Sequence, residues 1–288
     1  MNVKTISAIL ALALASMACG FSFDLPEQVK AGPEIKEEIT VADPKPALSG
    51  DEVSDETRLS LSFGAGSLTL SPGAKNLVDG TIVYNVEDLK PEIIEDGAQI
   101  EINQRNLKKL PPFDGMKNEW DLQLGSSPME LEISAGAYEG NFELGGLALT
   151  NLTINDGAAD VSLSFSELNL AEMSEFNYST GASDVRMEGL ANANFERFIF
   201  NGGAGNYTLD FSGDLQRDAT VSVDCGLSDL TLIVPPGVNV VVTIDSALAD
   251  INVGDGWSQK GSVYSQEGDG PALTIIVNMG GGEITIRK

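Results

Sequence analysis

The chain has 288 residues, 42% of them apolar, which is enough for one large β domain or two ordinary ones with a buried core. Its 31 glycines and modest charge content are the profile of a turn-rich β protein, and the absence of histidine removes the usual general base, the commonest metal ligand and any Ser-His or Cys-His nucleophile pair. A net charge of −26, from 43 acidic against 17 basic side chains, argues against nucleic acid as a partner and keeps a strand-rich surface soluble.

The first twenty residues, "MNVKTISAILALALASMACG", combine Lys4, an apolar run from Ile6 to Leu14 and small residues before Cys19, and read as an export signal over residues 1–18. The run is too short to span a bilayer comfortably. Ser16 and Ala18 suit ordinary signal cleavage, while "SMAC" followed by Gly is lipobox-like, with Ser16 where Leu is usual; the favoured reading is a lipoprotein acylated on Cys19. Residues 19–57 scatter four prolines among ten acidic residues and show no sustained period, so they read as a flexible, lipid-anchored tether. "KEEITVADPKP" within it has too few large apolar residues to pack by itself.

From Arg58 onward apolar residues alternate, as in Leu59, Leu61 and Phe63 before the turn at Gly64-Ala65-Gly66. "NQRNLKKLPPF" allows one helical turn before its prolines stop it. Further on the segments repeat: "NDGAADVSLSF", "STGASDVRMEG", "NGGAGNYTLDF" and "DCGLSDLTLIV" each set a Gly-Ala type turn, then Asp or Asn, then an alternating strand. The polar residues Asp160, Asp184, Asn206, Asp229 and Asp250 are separated by 24, 22, 23 and 21 residues, with Asn141 and Glu283 as degenerate members at the two ends. The fold expected is all-β: a single-stranded β-solenoid, or β-helix-like stack, of about 22-residue coils with two short strands each. Coils stacked about 4.8 Å apart would need small residues at the shared corner, and Asp or Asn beside it would cap the turn's own N–H groups. Val161, Leu163, Phe165, Tyr207, Leu209 and Phe211 then point inward, as do Phe176, Tyr178, Phe198 and Phe200, and Val221, Val223 and Cys225 share a buried side.

Near the C-terminus Pro235-Pro236-Gly237 breaks the pattern, and "VNVVVTI" reads as a strand buried on both faces. The segment 254–270 is an insertion carrying Trp257 and Tyr264, and insertions project from one face of a solenoid, so these two aromatics are the candidate partner contacts. Trp120 reads as structural.

"LSLSFGAGSLTLSPGAKNLVDGTIVYN", followed by "EINQRN" and "NEWDLQLGSSPMELEISAGA", resembles the N-terminal toast-rack domain of bacterial envelope proteins. The Gly-Ala repeats that follow are similar to the β-solenoid related to the C-terminal domain of cell-wall-active-antibiotics response proteins. The resemblance implies a toast-rack-like part over residues 58–125, continued by the repeat solenoid over 126–288. It also implies an envelope location, with some members described as candidate adhesins or as partners of envelope-stress sensors, and it brings no catalytic residues or cofactor.

Stacked Asp160, Asp184 and Asp229 invite comparison with a glycosidase's carboxyl pair, but a catalytic pair occurs once, whereas a residue present in every coil belongs to the coil. "GGAGNYTLD" has Tyr207 where a calcium-binding β-roll repeat needs Asp, so no metal site is assigned. The expected role is that of a non-catalytic envelope lipoprotein. It would be exported, held at the membrane by its lipid anchor alone, and present a rigid surface to a protein or glycan of the envelope. Envelope-stress sensing through a membrane partner is the first alternative, and a polysaccharide-active enzyme the second.

Overall fold

The computed structural model describes residues 31–44, 56–104 and 115–288. The leader, Cys19 and most of "NQRNLKKLPPF" lie outside the described residues. The N-terminal strands are β1 (Ile35–Val41), β2 (Thr57–Pro72), β3 (Val78–Tyr84), β4 (Pro91–Asp96), β5 (Gln99–Gln104) and β6 (Asn118–Leu124). The repeats follow as β7 (Met129–Glu143), β8 (Leu149–Ser164), β9 (Met173–Glu188), β10 (Phe195–Asp210), β11 (Ala219–Ile233) and β12 (Asn239–Val253). The chain closes with β13 (Ser258–Lys260), β14 (Val263–Gln266) and β15 (Ala272–Arg287). All belong to one sheet wound into a solenoid, as the repeats require.

Each coil is built on one strand of 15 or 16 residues, in which the two expected short strands run together through the glycine corner. We call the halves before and after the corner the first and second arms. The arms stack in parallel register, for example Phe198↔Val221 and Tyr207↔Leu230 between β10 and β11, with the corner glycines themselves left out of the ladder. Gly64, Gly136, Gly157, Gly181, Gly203, Gly226 and Gly280 form one file. A Cβ built on each of the last six would meet the carbonyl oxygen of the preceding glycine at 2.2–2.8 Å, inside van der Waals contact. This is the physical content of the repeated turn: the backbones touch there, and nothing larger than hydrogen fits.

Alternation places the core as expected. Val161, Leu163, Phe165, Tyr207, Leu209 and Phe211 are buried. Aromatic rings stack from coil to coil, Phe176 on Phe198 at 4.4 Å and Tyr178 on Phe200 at 5.5 Å between centroids. Trp120 is fully buried and donates its Nε1–H to Asn118 Oδ1 at 3.0 Å.

Four expectations are corrected. Within the expected tether, residues 35–41 form β1, antiparallel to β3, with Ile39 and Val41 buried. Two inward apolar side chains suffice there because β3 supplies the surface they cover. The stack also leaves chain order, since β15 inserts between β11 and β12. In β15 Leu273, Ile275, Val277, Met279, Ile284 and Ile286 are all buried, as an interior coil requires, whereas the second arm of β12, "ALADINV", has too little apolar surface to be enclosed. As an outer strand, β12 buries one face only, and Val241 in "VNVVVTI" is exposed. The 254–270 insertion does not project. It forms the β13–β14 hairpin, and β14 pairs antiparallel with the first arm of β12.

The glycine file predicts a sharp position dependence. Gly203→Ala places Cβ 2.2 Å from the Gly181 carbonyl oxygen and is expected to cost about 3 kcal/mol. Ala204→Ser, one residue on and exposed, should stay within about 0.5 kcal/mol. Urea denaturation of the two variants checks both, and equal midpoints would refute the close-contact account.

Candidate binding surfaces

The outward side chains of the two arms make two unlike faces. On the first arm, Ser134, Asn155, Ser179, Asn201, Asp224, Asn278 and Asp245 follow one another across β7, β8, β9, β10, β11, β15 and β12. Neighbours in this row are about 4.8 Å apart. Amide and hydroxyl groups dominate it, and Asn278 Nδ2 donates to Asp224 Oδ1 at 2.9 Å. Beside it lie two shallow, open depressions of about 410 and 490 Å³ that share Gly202 and Asp224, so they form one trough along the corner.

The second arm carries the acidic row. Glu139, Asp160, Asp184, Asn206, Asp229, Glu283 and Asp250 stand in register from β7 to β12. The structure thus brings Asp160, Asp184, Asn206, Asp229 and Asp250 together, with Glu283 between Asp229 and Asp250. Glu139, not Asn141, begins the row, because Asn141 faces Ser162 two residues further along. The expected capping role is also corrected. Among the described residues no N–H of the turn donates to the side chain of Asp160, Asp184, Asn206, Asp229 or Asp250, since the parallel ladder already pairs the backbone on both sides of the corner. Two contacts run between coils: Asn206 Nδ2 donates to Asp184 Oδ1 at 2.6 Å, and from the adjacent row Asn252 Nδ2 donates to Glu283 Oε1 at 2.9 Å, which also accepts from Thr285 Oγ1 of its own strand at 3.3 Å.

A third feature was not signalled by the repeat. Asp156 of β8 occupies the inward position just before the corner, where the neighbouring coils have Ala135 and Thr180. Tyr178 OH donates to its Oδ2 at 2.7 Å, while Tyr138 OH and Ser183 Oγ lie at 3.4 Å from Oδ2 and Oδ1. Ser183 Oγ also accepts from the Ala159 N–H at 2.9 Å and contacts Thr180 Oγ1. Desolvation outweighs these hydrogen bonds and raises the Asp156 pKa above its ordinary value; burial likewise pushes both tyrosine hydroxyls up. The other carboxylate in the same depression, Asp224, is three coils away on β11, or about 14 Å by strand spacing, outside the range of a glycosidase pair. Among the described residues no group of three or more His, Cys, Asp or Glu is placed to hold a metal ion.

Of the two aromatics expected to meet a partner, Tyr264 is buried and accepts a hydrogen bond from Gln259 Nε2 at 3.1 Å, so it holds the β13–β14 hairpin together. Trp257 is half-buried against the core. The insertion folds onto the end of the stack, which withdraws Tyr264 from the surface and leaves Trp257 partly exposed. Cys225 is a buried free thiol whose pKa is pushed by desolvation up to about 11, which leaves it an unreactive packing residue. No helix among the described residues is long and apolar enough to cross a membrane.

Fold and faces define a single-chain, bent-strand β-solenoid with extended open surfaces. Residues 30–174 match the family described as the N-terminal domain of toast_rack, DUF2154, and the chain belongs to this family. Among solved structures it is similar to a "putative cell adhesion protein" from Clostridium sporogenes ATCC 15579, with 21% identity over 88% of this chain and 99% of that one, at a TM-score of 0.48. It is also similar to a "putative adhesin" from Bacteroides fragilis NCTC 9343, with 11% identity, 90% and 99% coverage and a TM-score of 0.40. A "putative lipid binding protein" from Parabacteroides distasonis ATCC 8503 gives the same four figures. No curated protein matches the sequence.

The Asp156 site predicts a pH signature. A carboxyl whose pKa is raised by folding contributes its stability when protonated, and that contribution is lost as pH rises through the folded-state pKa. Asp156→Asn, which keeps an acceptor for Tyr178, should therefore flatten the fall in urea midpoint as pH rises from 3.8 toward neutrality. Parallel pH profiles for the two proteins would show that Asp156 is not the group responsible.

Proposed function

We propose that the chain is a non-catalytic binding or adhesion protein of the bacterial cell envelope, exported and anchored through lipid on Cys19. One observation carries this reading. The polar side chains of the outer faces recur coil after coil in open rows, a layout suited to many weak, equivalent contacts with a long or repetitive ligand. A protein or glycan of the envelope offers such a ligand. Amide and hydroxyl rows match the hydrogen-bonding groups of a glycan, and the trough beside the glycine file gives an extended chain a track along the stack. The shallow depressions and the 14 Å separation above favour holding a ligand over turning one over.

Two measurements test the reading. The mass of the mature N-terminal peptide is expected to show acylated Cys19 as the first residue; an unmodified Cys19 would refute the anchor. Binding to purified envelope polysaccharide is expected to weaken about tenfold when Asn155 and Asn201 are both replaced by Ala, with little loss of stability. Product formation from a glycan panel that disappears with Asp156→Asn would replace this reading with the enzymatic one.

A further inference from the structure

The edges of the sheet are protected unequally. At the N-terminal end β1 presents Lys36, Glu37 and Glu38, and β4 carries Pro91, Glu92, Glu95 and Asp96. At the other end, the first arm of β12 is covered by β14, which is covered in turn by the three-residue β13 with its exposed Lys260. Charge, proline and short outer strands are the ordinary means by which proteins keep an edge from pairing further. The second arm of β12, residues 247–253, has no proline and, among the described residues, no covering strand, and its one charged side chain is Asp250. Its register with β15 is unbroken from Leu248 to Val253.

Side chains at this edge are those of a coil missing its neighbour. Ile251 stands in register with Ile284, an inward position fully enclosed in β15, yet Ile251 itself is 38% exposed. Leu248 is 85% exposed. Together with Leu227 of β11, which is 71% exposed, it flanks Gly281 of β15. The Gly254 N–H bonds to the Ile286 carbonyl, which sets the alternation along the arm. Asn252 and Asp250 turn their backbone groups to β15, and Ala249, Ile251 and Val253 turn theirs to the open side.

We propose that residues 247–253 are a docking edge for a basic, extended strand of another protein, which adds to the sheet as its next coil. The added strand satisfies the free backbone groups and places an apolar residue over Ile251. Its outward residues come beside Asp250, the end of the run Asp229, Glu283, Asp250, so lysine or arginine fits there and a carboxylate does not. A second copy of this chain is the poorer occupant: antiparallel pairing of two such arms about Asp250 sets the two aspartates face to face, and each chain carries −26. The proposal concerns the end of the stack and stands apart from the reading of its polar faces.

The test uses the full chain and a short, end-blocked peptide of alternating lysine and valine, followed by amide hydrogen exchange. Exchange at Ala249, Ile251 and Val253 is expected to slow at least about tenfold with peptide, while amides turned toward β15 stay as they were. Ile251→Pro removes a donor that has no partner strand, and Ile251→Lys installs an edge charge; each should weaken peptide binding at least about tenfold. Four outcomes would overturn the proposal. These are no protection, equal binding by both variants, equal binding of a glutamate–valine peptide, or protection of the same amides without peptide in a concentration-dependent dimer.

Discussion

Backbone-to-backbone contact at the corner is the constraint on which the rest of the molecule depends. A strand of 15 or 16 residues can bend in the middle and still stack at sheet spacing only if nothing protrudes along the stacking axis at the bend, and the seven-glycine file meets that condition coil after coil. Once the corners are in contact the register of both arms follows. The side-chain period of two then decides which residues enter the core and which line the outer faces. A one-residue slip in any coil would send Phe198 and Phe200 outward and drive Arg197 and Ile199 toward the core, so hydrophobic pattern and corner chemistry enforce the same alignment.

The ends of the stack follow different rules from its middle. Interior coils are paired on both sides by parallel neighbours, while the N-terminal end turns to antiparallel pairing, with β1 on β3, β3 on β6 and β4 on β5. At the other end the chain leaves one place vacant after β11, lays down β12 and its hairpin, and returns to fill the vacancy with β15. This order puts the more apolar strand inside and the more polar one at the margin, which lowers the apolar surface left at the end.

Much of this was legible because repetition makes one rule visible many times. Glycine, alternation and spacing identified the coil, the core positions of the aromatics and the five polar residues that stand in one row. The β15 insertion was not legible, because stacking order depends on which of two similar strands has the better enclosed face, and that comparison needs the neighbours. β1 was missed for a related reason: Ile39 and Val41 are too few to announce a strand until β3 is there to receive them. Asp156 was missed because the repeat has no consensus at its position, where Ala135, Thr180, Gly202 and Cys225 stand in the coils on either side; its meaning comes from Tyr178 reaching it through the core. Tyr264 shows the converse error, in which a conspicuous residue in an irregular segment is packing for the end of the stack, while its companion Trp257 stays partly exposed.

The acidic row shows how the same geometry sets the molecule's electrostatics. Carboxylates in adjacent coils, about 4.8 Å apart, repel by about 1 kcal/mol in water before screening by salt. The stack tolerates this because the row is exposed and because Asn206 breaks it, donating a hydrogen bond to Asp184 where another carboxylate would have added repulsion on both sides. The neighbouring row is largely neutral, with Thr208, Thr231 and Thr285 side by side across β10, β11 and β15. Charge is therefore concentrated in a line parallel to the stacking axis, with carboxylates at six of its seven positions, while the first-arm row of amides and hydroxyls carries only Asp224 and Asp245. A solenoid built by repeating one coil acquires faces of different character with no further design, since each outward position of the repeat becomes a row and each row keeps the chemistry of its residue.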